Sequence, residues 1–265
     1  MYISICPITI IATSLIILTF FKYPGTRNSP GDLLLAISLC EFALNIHWLI
    51  SSIYAVARDG EAPLSRGDFC IFNSVFSIPT GILDFAYNFL LNWYVSSSLK
   101  HSLKGYSPNT KMWHWLMVLS AVGILIGFEI SGQSGLSIFG TCSYTSNKLI
   151  YVSGPLIGFL YLFLGMYMRR QFTKSLPDPK HRAHNKRAEF SIYFKYIAIT
   201  SVIYMLFGLT NLIVGLNCYT FHNPGLNLFL TVTNFLKLLS PFLLSLLRFR
   251  DPILRKKVAM LLQPV

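Results

Sequence analysis

Seven apolar segments follow one another along the chain, at about 2–21, 31–56, 69–98, 112–131, 149–168, 190–216 and 225–247, with only short polar stretches between them. Each is close to or above the ~20 residues a helix needs to cross a bilayer. The longer ones are expected to tilt or to extend beyond the lipid. The third is the least apolar, because it holds Asp84, Asn88 and Asn92. Only 12% of the 265 residues are charged, where a soluble domain needs roughly a quarter. The pattern predicts an all-α membrane protein, a single seven-transmembrane helix bundle spanning residues 1–265. A short amphipathic helix follows it at about 249–262. No internal repeat and no second domain is evident.

The net charge of +12 is explained by where the charges fall. One set of loops carries Lys22, Arg27, Lys100, Lys104, Lys111, Arg169, Arg170, Lys174, Lys180, Arg182, Lys186 and Arg187, and the tail adds Arg248, Arg250, Arg255, Lys256 and Lys257. The opposite loops carry only Arg58, Arg66 and Lys148. Basic residues mark the cytoplasmic side, so the N-terminus is expected outside and the C-terminus inside. This removes nucleic acid as the reason for the basic balance. The first segment has no basic flank or small-residue cleavage site and is expected to insert as its own signal.

Cys70, Cys142 and Cys218 fall on the outer side, where oxidation is permitted. A bridge between Cys70 and Cys142 and a pair of free thiols are both open on this ground. A pairing of Cys218 with Cys6 is weakly supported, and Cys40 reads as a small buried residue. No cysteine or histidine spacing points to a metal, and no cofactor is expected.

Glu41, Asp84 and Lys237 lie deep inside apolar segments. At a helical rise of ~1.5 Å per residue they sit about 17, 21 and 15 Å from the inner ends of their helices. A charge at the bilayer centre costs about 2.5–3.5 kcal/mol, so the three are expected to share one buried ionic cluster. A static pair that fixes packing and a switch are both open. Ser38, Asn45, Asn88, Thr233, Asn234 and Ser240 enlarge the polar region, more as interhelical hydrogen-bond partners than as ligand contacts.

Several motifs resemble those of G-protein-coupled receptors over nearly the whole chain. ISLCE (37–41) resembles the L-S-L-A-D pattern of receptor helix 2, with Glu41 for the usual aspartate. Pro241, in LSPFLL, resembles the helix 7 proline and implies a bend. RFRDPILRKKV (248–258) resembles the amphipathic helix 8 along the inner membrane face, where Arg250 and Asp251 would cap or anchor it. Cys70 and Cys142 match the disulfide that ties helix 3 to the second outer loop. Glu41, Asp84 and Lys237 then fall at the family's sodium pocket, with the lysine ammonium in place of the cation. The chain lacks D-R-Y after the third segment and C-W-x-P in the sixth, and has Leu244 where tyrosine is usual. It is nearer the cyclic-AMP-receptor-like group of microbial eukaryotes, with secretin and adhesion receptors as neighbours.

The resemblance implies an extracellular ligand, a heterotrimeric G protein inside and a plasma-membrane location. Arg169, Arg170, Arg187, Arg248 and Arg250 are the candidate contacts to G protein or anionic lipid. Two other classes compete. A microbial-type rhodopsin would use Lys237 as the retinal Schiff base and Asp84 as counterion. A seven-helix transporter would need repeats and midplane breaks, which are not apparent. No nucleophile–base or phosphate-loop constellation marks an enzyme.

Overall fold

The structure is a computed structural model that describes residues 2–27, 30–57, 68–100, 110–131, 134–136, 142–144, 159, 160, 163, 165–167, 170, 192, 193, 195–206, 209 and 224–262. Four helices open the chain: α1 (Tyr2–Lys22), α2 (Gly31–Ala57), α3 (Asp68–Lys100) and α4 (Lys111–Ser131). Residues 165–167 are helical. So are Lys195–Leu206 in the sixth segment, Pro224–Arg248 in the seventh and Pro252–Leu262 at the C-terminus. These bounds lie within three residues of the corresponding apolar segments, except that the fifth segment and the ends of the sixth fall largely outside the described residues. Among the described residues α1 and α2 are the two helices long and apolar enough to cross a membrane.

The expectation of an all-helical chain misses one element. After α4 a short antiparallel ribbon pairs Ser134–Leu136 with Cys142–Tyr144, Ser134 opposite Tyr144, and lies against α3. The side chains of Cys70 and Cys142 lie outside the described residues, as does the whole of Cys218. Cys6 and Cys40 are buried free thiols.

α1 packs between α2, the seventh-segment helix and the C-terminal helix, and α3 packs between α2 and α4. The core runs through Ile16, Phe20, Leu33, Ile37, Leu91, Val95, Ile197 and Leu244. The polar residues are inside as well. Ser38, Glu41, Asn45, Asn88, Asn92, Thr200 and Arg248 are buried, while Ile11, Ile53, Phe72, Leu119, Phe163 and Leu228 are exposed. Buried hydroxyls satisfy themselves on their own helix: Thr13 donates to the Thr9 carbonyl at 2.8 Å, Ser38 to Leu34 at 2.7 Å and Thr200 to Tyr196 at 2.8 Å. Such back-bonding lets a hydroxyl sit in apolar surroundings without an orphaned donor.

The helix ends follow from local chemistry. Asp32 puts a negative charge in the first turn of α2, where the helix dipole favours it. Asp251 caps the C-terminal helix, its Oδ1 accepting from the Leu254 amide at 3.3 Å. Pro252 takes the first helical position, where its missing N–H is no loss. Pro241 lies inside a continuous seventh helix. It cannot donate to the Lys237 carbonyl four residues back, and the Ser240 hydroxyl donates there instead at 2.7 Å.

Candidate functional site

On α2 the residues Leu34, Ser38, Glu41, Asn45 and Ser52 recur at steps of three, four and seven and are all buried. Helical periodicity puts them on one stripe. Glu41 is the charge in that stripe, and its partner is Arg248, the last residue of the seventh helix. The guanidinium grips the carboxylate with two nitrogens: Nη1 donates to Oε2 at 2.8 Å and Nη2 to Oε1 at 3.2 Å. Nη1 also donates to the Ser38 hydroxyl at 2.9 Å, and Nη2 to the Tyr196 hydroxyl at 2.8 Å. The two side chains are 2% and 3% exposed, so neither charge is solvated by water. Two parallel N–H···O bonds are the geometry an arginine matches best to a carboxylate.

Tyr196 carries the network onward. Its hydroxyl accepts from Arg248 and donates to Asn88 Oδ1 at 2.8 Å. Asn88 Nδ2 donates to the Asp84 carbonyl at 2.8 Å and lies 3.3 Å from its Oδ1. Tyr204 donates to Asp84 Oδ2 at 3.0 Å. Its ring stands edge-on to Phe85 at 5.1 Å. Asp84 and Asn88 are one turn apart on α3, Tyr196 and Tyr204 about two turns apart on their helix, and the phenols converge on them. Four helices therefore meet in one chain of hydrogen bonds: Ser38 and Glu41 from α2, Asp84 and Asn88 from α3, Tyr196 and Tyr204 from the sixth segment, and Arg248 from the seventh.

The sequence reading grouped Glu41, Asp84 and Lys237. The structure brings Glu41 and Asp84 into one network, but the base that pairs with Glu41 is Arg248. Lys237 Nζ lies 5.3 Å from the centroid of the Trp48 ring, seven residues along α2 from Glu41, which is about 10 Å of helix. Lys237 would reach Glu41 only if the inner ends of α2 and the seventh helix were level. They are offset, because the terminal residue of one reaches the eleventh residue of the other. Near Lys237 the polar contacts are of a different kind: the Tyr2 hydroxyl and the Asn234 amide pair at 3.0 Å, joining α1 to the seventh helix. Asn73 donates to Ser51 at 2.7 Å, joining α3 to α2.

The five arginines expected at the inner membrane face divide. Arg248 is buried in the network rather than at headgroups. Arg170 and Arg250 are exposed. Arg169 and Arg187 lie outside the described residues. Arg248 closes the seventh helix, whereas Arg250 lies in the turn beyond it, so the two need not face the same way. Tyr196 and Tyr204 carried no signal beyond their place in an apolar helix.

A second tie joins the starts of α2 and α4 to the middle of α3. Thr110 donates to Asp32 Oδ2 at 2.9 Å, His114 Nε2 lies 3.7 Å from the same oxygen, and His114 Nδ1 is 3.2 Å from the Tyr87 hydroxyl. Among the described residues no group of three or more histidines, cysteines and carboxylates is placed to hold a metal. The arrangement offers fixed charges and donors between helices; its chemistry is that of a buried lock. No family model matches the chain, and no characterised protein matches it in sequence at a significant level.

Proposed function

We propose that the chain is a seven-pass plasma-membrane receptor of the G-protein-coupled type, with its N-terminus outside, relaying an extracellular ligand to a heterotrimeric G protein. The observation that carries this reading is the buried Arg248–Glu41 pair and its extension through Tyr196 to Asn88 and Asp84. A receptor needs helices whose relative positions take two discrete arrangements, each with its own contacts. A bidentate pair that closes one helix end onto three others is a contact of that kind: it is either made or broken. The receptor-like motifs around Glu41, Pro241 and Arg248–Val258 point the same way. So does a molecular surface that exposes leucine, isoleucine and phenylalanine while burying asparagine, glutamate and arginine. That distribution suits lipid as the surrounding solvent.

The test needs no ligand. The full chain in lipid nanodiscs is incubated with purified G proteins of each class, and nucleotide exchange is followed. Wild type is expected to give low basal exchange and Glu41→Gln, which opens the pair, a several-fold rise with one class. Exchange no faster than with empty nanodiscs, for both proteins and every class, overturns the receptor reading.

A further inference from the structure

Asp84, Asn88 and Asn92 stand four residues apart along α3, and Tyr196, Thr200 and Tyr204 stand four apart along the sixth-segment helix. Side chains at that spacing follow one stripe of a helix face. The two stripes meet antiparallel: the earlier Tyr196 donates to the later Asn88 at 2.8 Å, and the later Tyr204 to the earlier Asp84 at 3.0 Å. Thr200, between the tyrosines, turns its hydroxyl back to the Tyr196 carbonyl. The phenols are thus rungs between the stripes, and the third α3 residue is left over. Asn92 is 0% exposed, and neither its Oδ1 nor its Nδ2 has a hydrogen-bond partner among the described residues. Leu91 and Val95, beside it on α3, belong with Tyr196 and Ile197 to one buried core. Buried amides are rarely left in that condition. Tyr204 is already within reach of the next rung, its hydroxyl 3.4 Å from Asn88 Nδ2.

We propose that the sixth-segment helix has a second register on α3, one turn toward the C-terminal end of α3, in which Tyr196 bonds Asn92 and Tyr204 bonds Asn88. The displacement is about 5.4 Å along the helix, and one-turn ratchets of packed helices are a known form of two-state change. The bonds exchange in order. Asn88 Oδ1 trades the Tyr196 phenol for that of Tyr204, and Tyr196 trades Asn88 for the orphaned amide of Asn92. Two contacts are given up: Tyr204 leaves Asp84, and Tyr196 leaves Arg248, which keeps Glu41 and Ser38. The described register is therefore the favoured one and the second a minor state, of about 1% on the usual scale of such equilibria. Asn92 is the residue that makes the second register possible, because without it Tyr196 would enter an apolar site with its hydroxyl unbonded. The inference rests on the hydrogen-bond geometry alone and is measured without ligand or G protein, so it stands or falls apart from the receptor assignment.

The test is fluorine NMR on the full chain in nanodiscs, with 3-fluorotyrosine placed at residue 196 in one sample and at residue 204 in another. Saturation transfer detects a minor state in exchange with the main one. Wild type is expected to show such a state at both positions, with the same population and rate, since both tyrosines ride on one helix. A ring flip at one tyrosine would not be shared by the other. Asn92→Leu puts an apolar side chain of similar size into an apolar place and is expected to fold, and to cut the minor population about tenfold, the factor one buried hydrogen bond supplies. Asp84→Leu removes the acceptor that holds Tyr204 in the main register and is expected to raise it about tenfold. Wild type with no shared minor state overturns the proposal by itself, whether or not either variant folds. Exchange that survives Asn92→Leu unchanged overturns it as well.

Discussion

Opening the Arg248–Glu41 pair is the sharpest perturbation the structure offers. Glu41→Gln keeps the size of the side chain and removes its charge. One of its two terminal atoms becomes an NH2 group, which turns a donor toward the guanidinium that had met an acceptor at 2.8 or 3.2 Å. Arg248 keeps Ser38 and Tyr196 but remains a cation that is 3% exposed and without a counter-charge on Glu41. Breaking a buried pair from one side costs about 3–5 kcal/mol, whereas an exposed pair is worth about 0–1. Arg248→Met leaves the carboxylate stranded and is expected to cost as much. The double variant removes both charges, so its cost falls well short of the sum, with a coupling of about 2–3 kcal/mol.

The buried free thiols supply the assay. Cys6 and Cys40 are 0% and 7% exposed, so a thiol-reactive dye, added after accessible thiols are blocked, reports the opening of α1 and α2 as temperature rises. At about 2–4 °C per kcal/mol for a chain of this size, each single variant is expected to lower the midpoint by about 10 °C. The double variant is expected to recover much of that loss. A shift below about 2 °C for Glu41→Gln, or strictly additive singles, refutes a formed and desolvated pair.

Three further outcomes follow from the geometry. Gly31→Ala drives a Cβ into the Thr26 carbonyl oxygen and toward the Phe20 ring; backbone cannot swing aside as a side chain can, and a loss of about 1–3 kcal/mol is expected in the same thermal assay. Tyr196→Phe is expected to cost more than Tyr204→Phe, by about 1 kcal/mol, because it strips an acceptor from a buried cation as well as a donor from Asn88; equal costs in paired denaturation curves contradict that ordering. Asp251→Ala removes the cap of the C-terminal helix and is expected to speed hydrogen exchange at residues 253–256 about fivefold, for about 1 kcal/mol. A change confined to other helices counts against the cap.

Helix placement was legible because apolar length and helical period are local properties of the chain, and α1, α2, α3, α4 and the seventh helix sit where their segments lie. Glu41 and Asp84 were legible as functional candidates for the same reason: a carboxylate inside an apolar run must find company. The identity of that company was not. Lys237 and Arg248 are both bases on the seventh helix, eleven residues apart, and choosing between them needs the offset of that helix against α2. The offset is a matter of tertiary packing, in which Leu244 of that helix joins the core, and such packing leaves no periodic trace. Tyr196 and Tyr204 were hidden for a related reason. A tyrosine in an apolar helix reads as apolar until the partner of its hydroxyl is known.

Arg248 is the last residue of its helix, and that position governs what can act on it. The helix dipole favours a cation there, which offsets part of the cost of burying it. Immediately beyond, the chain turns through Phe249 and Arg250, with the Arg250 amide bonded to the Leu247 carbonyl and the Asp251 amide to the Arg248 carbonyl, both at 3.0 Å. The C-terminal helix is thus fastened to the backbone of the residue that holds Glu41, and its Leu254 and Val258 pack into the same core. Glu41 and Asn88 stand inside longer helices, whereas Arg248 stands at a joint. A force on the C-terminal helix reaches the pair through one turn of chain, while a force on α2 must move the helix as a whole. The weak point of the lock is accordingly the arginine's end of it.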